Sequence, residues 1–233
     1  MPQIKTIAFD ADDTLWINEP IFTKTRLRYE EILSSYFSID ESLELKLYAV
    51  EKRNLALFGY GIKGFMLSMI ESAIELTEEK INGADIQRII DLGKEMLTHP
   101  IEILPGIVET IEKLKSDYQL LIITKGDLWD QETKIARSGV ADLFDHIEIV
   151  SEKTPAAYQA ILDRYQIEPS SFLMIGNSLK SDILPVCEIG GNAVHIPFHD
   201  TWVHEQMDTH QIGEYSFIEL DDIKGLFNCG LFN

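Results

Sequence analysis

Three carboxylates fall within four residues, at Asp10, Asp12 and Asp13, directly after the mostly apolar run Ile4–Phe9. Lys5 and Thr6 interrupt that run, which otherwise reads as a buried parallel strand. Acids packed at a strand end repel one another unless a cation or a proton offsets their charge. Mg²⁺ is a hard cation that prefers oxygen ligands, so a strand ending in acids suits it. The carboxyl end of a strand is also where open α/β sheets bind ligands.

Asp10-Ala11-Asp12-Asp13-Thr14 resembles the D-x-D-x-T signature of the haloacid dehalogenase-like phosphohydrolases. The resemblance implies that Asp10 is a nucleophile, able to form an acyl-phosphate that water then hydrolyses. It makes Asp12 the general acid/base, brought back to the same side two residues on if the backbone stays extended. By the same spacing Asp13 points elsewhere, as a surface or capping residue, and Thr14 supports the turn.

Three further segments match the family's motifs in order. Thr124 ends the run Leu120–Ile123 and precedes Lys125-Gly126-Asp127. Its hydroxyl would donate to a phosphate oxygen, with neighbouring backbone N–H groups forming an anion nest. Lys153, in Ser151-Glu152-Lys153-Thr154-Pro155, matches the lysine that pairs with the nucleophile and the phosphate. Lys125 is a lesser rival for that phosphate contact. Gly176-Asn177-Ser178-Leu179-Lys180-Ser181-Asp182 resembles G-D-x-x-x-x-D, except that Asn177 stands where the family has its first acid. An amide can still offer oxygen to a metal or hold a ligated water, at the cost of one negative charge. The resemblance implies Mg²⁺ held by Asp10, the carbonyl of Asp12, and the loop carrying Asn177 and Asp182.

These residues need elements to hold them. From about 101 onward, short apolar strands alternate with helical stretches: strands at 120–124, 147–150, 172–175 and 193–196, helices at 105–116, 128–138, 155–165 and 181–189. That alternation predicts right-handed βαβ units and a parallel, Rossmann-like α/β sheet with helices on both faces. About 80 residues before it, from Pro20 to His99, show only helical periodicity. The expected organisation is a catalytic core of residues 1–16 and 100–233, with a helical cap, 17–99, inserted after the first strand. The glycine-rich loop Gly59–Gly64 is the candidate segment for reaching substrate, with Tyr60 and Lys63 as contacts. Trp16 and Asn18, just past the nucleophile, would line the pocket or pack the hinge. His195, His199, His204 and His210 show no metal spacing and read as surface or loop residues.

The formal net charge of −19, with a pI near 4.6, excludes a basic nucleic-acid footprint. A small anionic substrate must therefore be met by a local positive site. Cys187 and Cys229 form no CxxC pair and suit a reducing compartment. With no signal-peptide layout and no apolar run near the roughly 18 residues that span a bilayer, the expectation is a cytoplasmic protein without membrane contact. The reading that results is a Mg²⁺-dependent phosphatase of a small phosphorylated metabolite, a sugar phosphate or nucleotide. The alternatives are a phosphomutase, a metal-independent haloacid dehalogenase, or a non-catalytic binding protein on the same scaffold.

Overall fold

The computed structural model describes residues 3–40, 42–199 and 215–232. His204 and His210 lie outside them. The chain divides into two compact units: residues 1–19, 101–125 and 131–233 form one, and residues 20–100 with 126–130 form the other.

The first unit is built on a six-stranded, wholly parallel sheet in the order β3-β2-β1-β4-β5-β6. The strands are β1 Thr6–Phe9, β2 Gln119–Lys125, β3 His146–Val150, β4 Phe172–Gly176, β5 Asn192–His195 and β6 Ile218–Glu219. Four of them match the expected runs after residue 100. The two-residue β6 is too short to carry a sequence period, and it was not anticipated.

Side-chain alternation explains how the sheet is covered. Ile7, Phe9, Leu120, Ile122, Leu173, Ile175 and Val194 face one way and pack with Trp16 and with α5, Ile107–Leu114. Ala8, Leu121, Ile123, Phe172 and Met174 face the other way and pack with Tyr158, Ile161 and Leu162 of α7, Pro155–Tyr165. Both faces are apolar, so the strands read as near-continuous hydrophobic runs. The order reverses at β1, which pairs with β2 on one side and β4 on the other. The carboxyl end of β1 is therefore the topological switch point, where such sheets place their ligand crevice.

The second unit is helical: α1 Glu19–Leu33, α2 Ser42–Phe58, α3 Ile62–Leu76 and α4 Gly83–Thr98. Its own core joins Tyr29, Leu33, Leu47, Phe65, Met69, Ile89 and Leu92. The glycine loop is shorter than its spacing suggests, because α3 already starts at Ile62 and takes in Gly64. A β-carbon on Gly64 would sit 2.9 Å from the carbonyl oxygen of Gly59, so that glycine serves the close approach of loop to helix.

Candidate active site

Each motif residue sits at or near the end of an element that fixes it. The backbone N–H of Asp10 donates to the carbonyl of Ile175 at 2.9 Å, which locks the residue after β1 to β4. Thr124 is the penultimate residue of β2 and is buried. Lys153 immediately precedes Thr154, whose side chain caps α7 by accepting from the N–H of Ala157, with Pro155 as the first helical residue. Asp182 lies within a π-helical turn, Leu179–Ile183, that leads into α8, Leu184–Glu188. The expected 181–189 helix thus begins two residues early and in a wider coil. Ser178 caps the turn by accepting from Ser181 N at 3.0 Å.

Lys153, Asp10 and Asp182 come together as a buried trio. The Lys153 ammonium donates to Oδ1 of Asp10 and, at 2.6 Å, to Oδ1 of Asp182. Oδ2 of Asp182 accepts from Ser178 N at 3.0 Å. A β-carbon on Gly176 would collide with the Asp182 side chain, which explains the glycine at the start of this loop. Burial raises the pKa of Asp10 above the ordinary carboxylate range; Lys153 opposes the rise, and the neighbouring charge of Asp182 adds to it. Burial also works against the charge on Lys153, but the fields of Asp10 and Asp182 outweigh it and hold the ammonium charged.

The Thr14 hydroxyl lies 3.1 Å from Oδ1 of Asn177 and 3.4 Å from Oδ2 of Asp10. It carries a single proton and cannot serve both oxygens, so one acceptor is left short of a donor. Two carboxylates and an amide oxygen make an all-oxygen donor set of the kind Mg²⁺ takes while keeping several waters. Among the described residues no three His, Cys, Asp or Glu side chains gather as a metal site, in keeping with the amide at Asn177.

Asp12 is held differently. Its Oδ1 accepts from the indole N–H of Trp16 at 2.8 Å, and its Oδ2 from Nε2 of Gln131 at 2.8 Å. Lys134 donates to both oxygens at 2.8 Å. Gln131 and Lys134 lie on α6, Leu128–Ser138, three residues apart and so on one face. Burial would raise the pKa of Asp12, but Lys134 first, then Gln131 and Trp16, hold its carboxyl below the usual value. Trp16, expected to line the pocket or pack the hinge, is fully buried in the core of the sheet unit, with its backbone bridged to Ile103. Lys134 and Gln131 were not anticipated. Polar residues on a helix face read as solvated surface, and only the folded chain brings them to Asp12.

Asp13 is buried rather than on the surface, and it caps a helix. Its carboxylate accepts from the N–H groups of Asn18, at 2.8 Å, and Glu19, at 3.0 and 3.1 Å, at the start of α1. Burial pushes its pKa up to about 8, against those N–H donors. His195 also departs from expectation, because it is a buried residue of β5. Its ring contacts the carbonyl oxygen of Asn177 through Nε2 at 3.1 Å and Glu219 through Nδ1 at 2.9 Å. Lys125 donates to Ser181 at 3.0 Å. Tyr60 and Lys63 belong to the helical unit, where Lys63 pairs with Asp127 at 2.7 Å.

A parallel sheet with acids and a lysine gathered at its switch point is the arrangement expected of the haloacid dehalogenase-like class. The sequence model of the haloacid dehalogenase-like hydrolases matches residues 4–185, and the chain belongs to that family. It is similar to a haloacid dehalogenase-like family hydrolase from Xanthomonas campestris, with a TM-score of 0.84 and 43% identity over 95% of this chain and 88% of that one. It is 24% identical to the glyceraldehyde 3-phosphate phosphatase of Pyrococcus furiosus over 96% of this chain and 92% of the relative. It is 23% identical to the mouse N-acylneuraminate-9-phosphatase over 78% of each chain. Among the described residues no helix is long and apolar enough to cross a membrane.

Proposed function

We propose that this phosphohydrolase is a Mg²⁺-dependent phosphatase acting on a small phosphomonoester, a sugar phosphate or nucleotide, through an aspartyl-phosphate. The observation that carries this reading is the single Lys153 ammonium in contact with both Asp10 and Asp182. It places a fixed positive charge beside a buried carboxylate at the end of β1. The relatives whose names state phosphatase activity on a triose phosphate and on a sugar acid phosphate support the substrate class.

In this reading a carboxylate oxygen of Asp10 attacks phosphorus while the bond to the leaving oxygen breaks. Asp12 gives that oxygen its proton. Lys153 and the hydroxyl of Thr124 offset the charge on the phosphoryl oxygens, with Lys125 beside them. Mg²⁺, held by Asp10, the carbonyl of Asp12, Asn177 and Asp182, would supply charge neutralisation and orientation of the phosphoryl group when bound. Water then attacks the aspartyl-phosphate, its proton passing to Asp12 and the electron pair of the broken P–O bond returning to Asp10. Tyr60 and Lys63 are the residues of the helical unit we assign to substrate choice.

The test is release of inorganic phosphate from a panel of phosphomonoesters, with Mg²⁺ and with excess EDTA. Metal-dependent release is expected, fastest from a small sugar phosphate or nucleotide. Release that persists in EDTA, or none from a folded protein loaded with Mg²⁺, would overturn the reading.

A further inference from the structure

Ser181 and Asp182 are consecutive residues of the π-helical turn, and each holds a different lysine. Asp182 accepts from Lys153 at 2.6 Å, while the hydroxyl of Ser181 accepts from the ammonium of Lys125 at 3.0 Å. Ser181 is held on both sides along the backbone. Its N–H donates to Oγ of Ser178 at 3.0 Å. Its carbonyl lacks the usual α-helical donor, because the residue four positions on is Pro185, which has no N–H. The hydroxyl of Tyr158, a buried residue of α7, donates to that carbonyl at 3.0 Å. The main chain of Lys125 is fixed as well, its carbonyl accepting from Nε2 of Gln131 at 3.0 Å. The flexible stem of the lysine is what remains to be placed. Two residues beyond Ile123, that stem leaves β2 on the face covered by α7; Asp10, two residues beyond Ala8, leaves the end of β1 on the same face.

We propose that Ser181 is a positioning residue that holds the Lys125 ammonium against the phosphate of the substrate, as a second cation beside Lys153. The proposal rests on the reading of Lys125 as a phosphate contact given above. Lys153 is shared between two carboxylates, so much of its charge is already answered when substrate arrives. A phosphomonoester brings about two negative charges near neutral pH. In the contact with Ser181 the partner of the ammonium is neutral, and a hydroxyl orients a cation without cancelling its charge. Such a cation matters in a chain whose net charge of −19 opposes the approach of anions. The phosphate contact is made in substrate and transition state alike, so its loss should weaken binding more than it slows the chemical step.

Kinetics with p-nitrophenyl phosphate as substrate and inorganic phosphate as competitive inhibitor test this directly. With Ser181→Ala, KM and the Ki of phosphate should rise together by about 5- to 10-fold, the scale of one charged hydrogen bond, while kcat falls less than about twofold. The Mg²⁺ concentration giving half-maximal activity should stay near the wild-type value, because Asp182 is left in place. Ser181→Thr, which keeps the hydroxyl, should restore both constants. In a Lys125→Met background, itself raised in KM and Ki, Ser181→Ala should add nothing further, because it acts through Lys125. A KM and Ki unchanged by Ser181→Ala, or an effect that persists undiminished on Lys125→Met, overturns the proposal. So does a shift confined to the Mg²⁺ requirement. Ser181→Cys, whose sulfur is a weak acceptor, is read in the same way if the Ala variant does not fold, with circular dichroism as the check. Failure of the underlying reading looks different: Lys125→Met alone would leave KM and Ki at wild-type values, or the wild type would release no phosphate from any ester.

Discussion

Thr14 reaches across the sheet to Asn177, its Oγ1 standing 3.1 Å from the amide oxygen, although 163 residues separate them in the chain. The hydroxyl joins the first motif to the fourth at the one position where this chain departs from the family pattern. Asn177→Asp keeps the acceptor and adds a charge. The Mg²⁺ concentration giving half-maximal activity should fall by about tenfold, since ligand charge sets affinity for hard cations. Without metal the same variant should melt at a lower temperature, because a third carboxylate joins Asp10 and Asp182. Metal titrations of activity and melting curves with and without EDTA check both signs. An unchanged requirement would mean that residue 177 lies outside the metal's reach.

Lys153 contacts two buried acids at once. Lys153→Met should abolish turnover and destabilise the fold by about 3–5 kcal/mol, the scale for stranding a buried charge. Asp10→Asn should abolish turnover too, but with stability kept or raised, because it removes a carboxylate beside Asp182. Chemical denaturation of both variants, and of the double variant, distinguishes the two effects. The double variant should be more stable than Lys153→Met alone.

His195 supports the Asn177 loop from below through the Asn177 carbonyl. His195→Leu should cost about 1 kcal/mol by leaving a partly buried carbonyl without its partner. It should also raise the Mg²⁺ requirement, while KM measured at saturating Mg²⁺ stays near the wild-type value. An unaltered metal titration would limit His195 to a packing role.

Asp13 sets a pH dependence of stability. Its folded pKa is raised to about 8, so the folded chain holds a proton there that the unfolded chain releases near pH 4. The contribution is complete below pH 4 and is lost as pH rises toward 8, at no more than about 1.4 kcal/mol per unit. Asp12 has the opposite sign. Its depressed pKa contributes stability above the ordinary carboxylate value, and that contribution is lost as pH falls through the folded pKa. Asp13→Asn should flatten the decline between pH 4 and 8 in denaturant midpoints. A decline of unchanged slope would show that Asp13 is ionised throughout.

The parts of the site that could be read from sequence were those announced by a strand. Asp10, Thr124 and Asn177 each follow an apolar run, and a residue at the end of a buried parallel strand has few places to point. Lys153 was marked by the Thr154-Pro155 helix start that follows it. Lys134 and Gln131 carried no such mark, because a lysine three residues after a glutamine on a polar helix is the ordinary pattern of a wet surface. His195 falls inside the expected strand 193–196, yet a polar residue at a strand end reads as exposed; what buries it is the edge strand β6, whose Glu219 it contacts and whose two residues carry no period. Trp16 stands just past the nucleophile in the sequence, but whether its ring faces a pocket or the core depends on Ile103, Leu104 and Ile107, which lie more than 80 residues away and pack in the same cluster.

The grouping of residues 126–130 with the helical unit affects how this protein can be recombined. Exchanging residues 20–100 for the insertion of a relative, as a cassette between two fixed ends, would remove both Lys63 and Gly61, leaving Asp127 without its ion-pair partner and setting a foreign loop against it where a β-carbon at position 61 would lie only 3.3 Å away. The transplantable module is discontinuous, a long segment and a five-residue one. Chimeras that move both together should fold, whereas single-segment chimeras carry a mismatch at their seam.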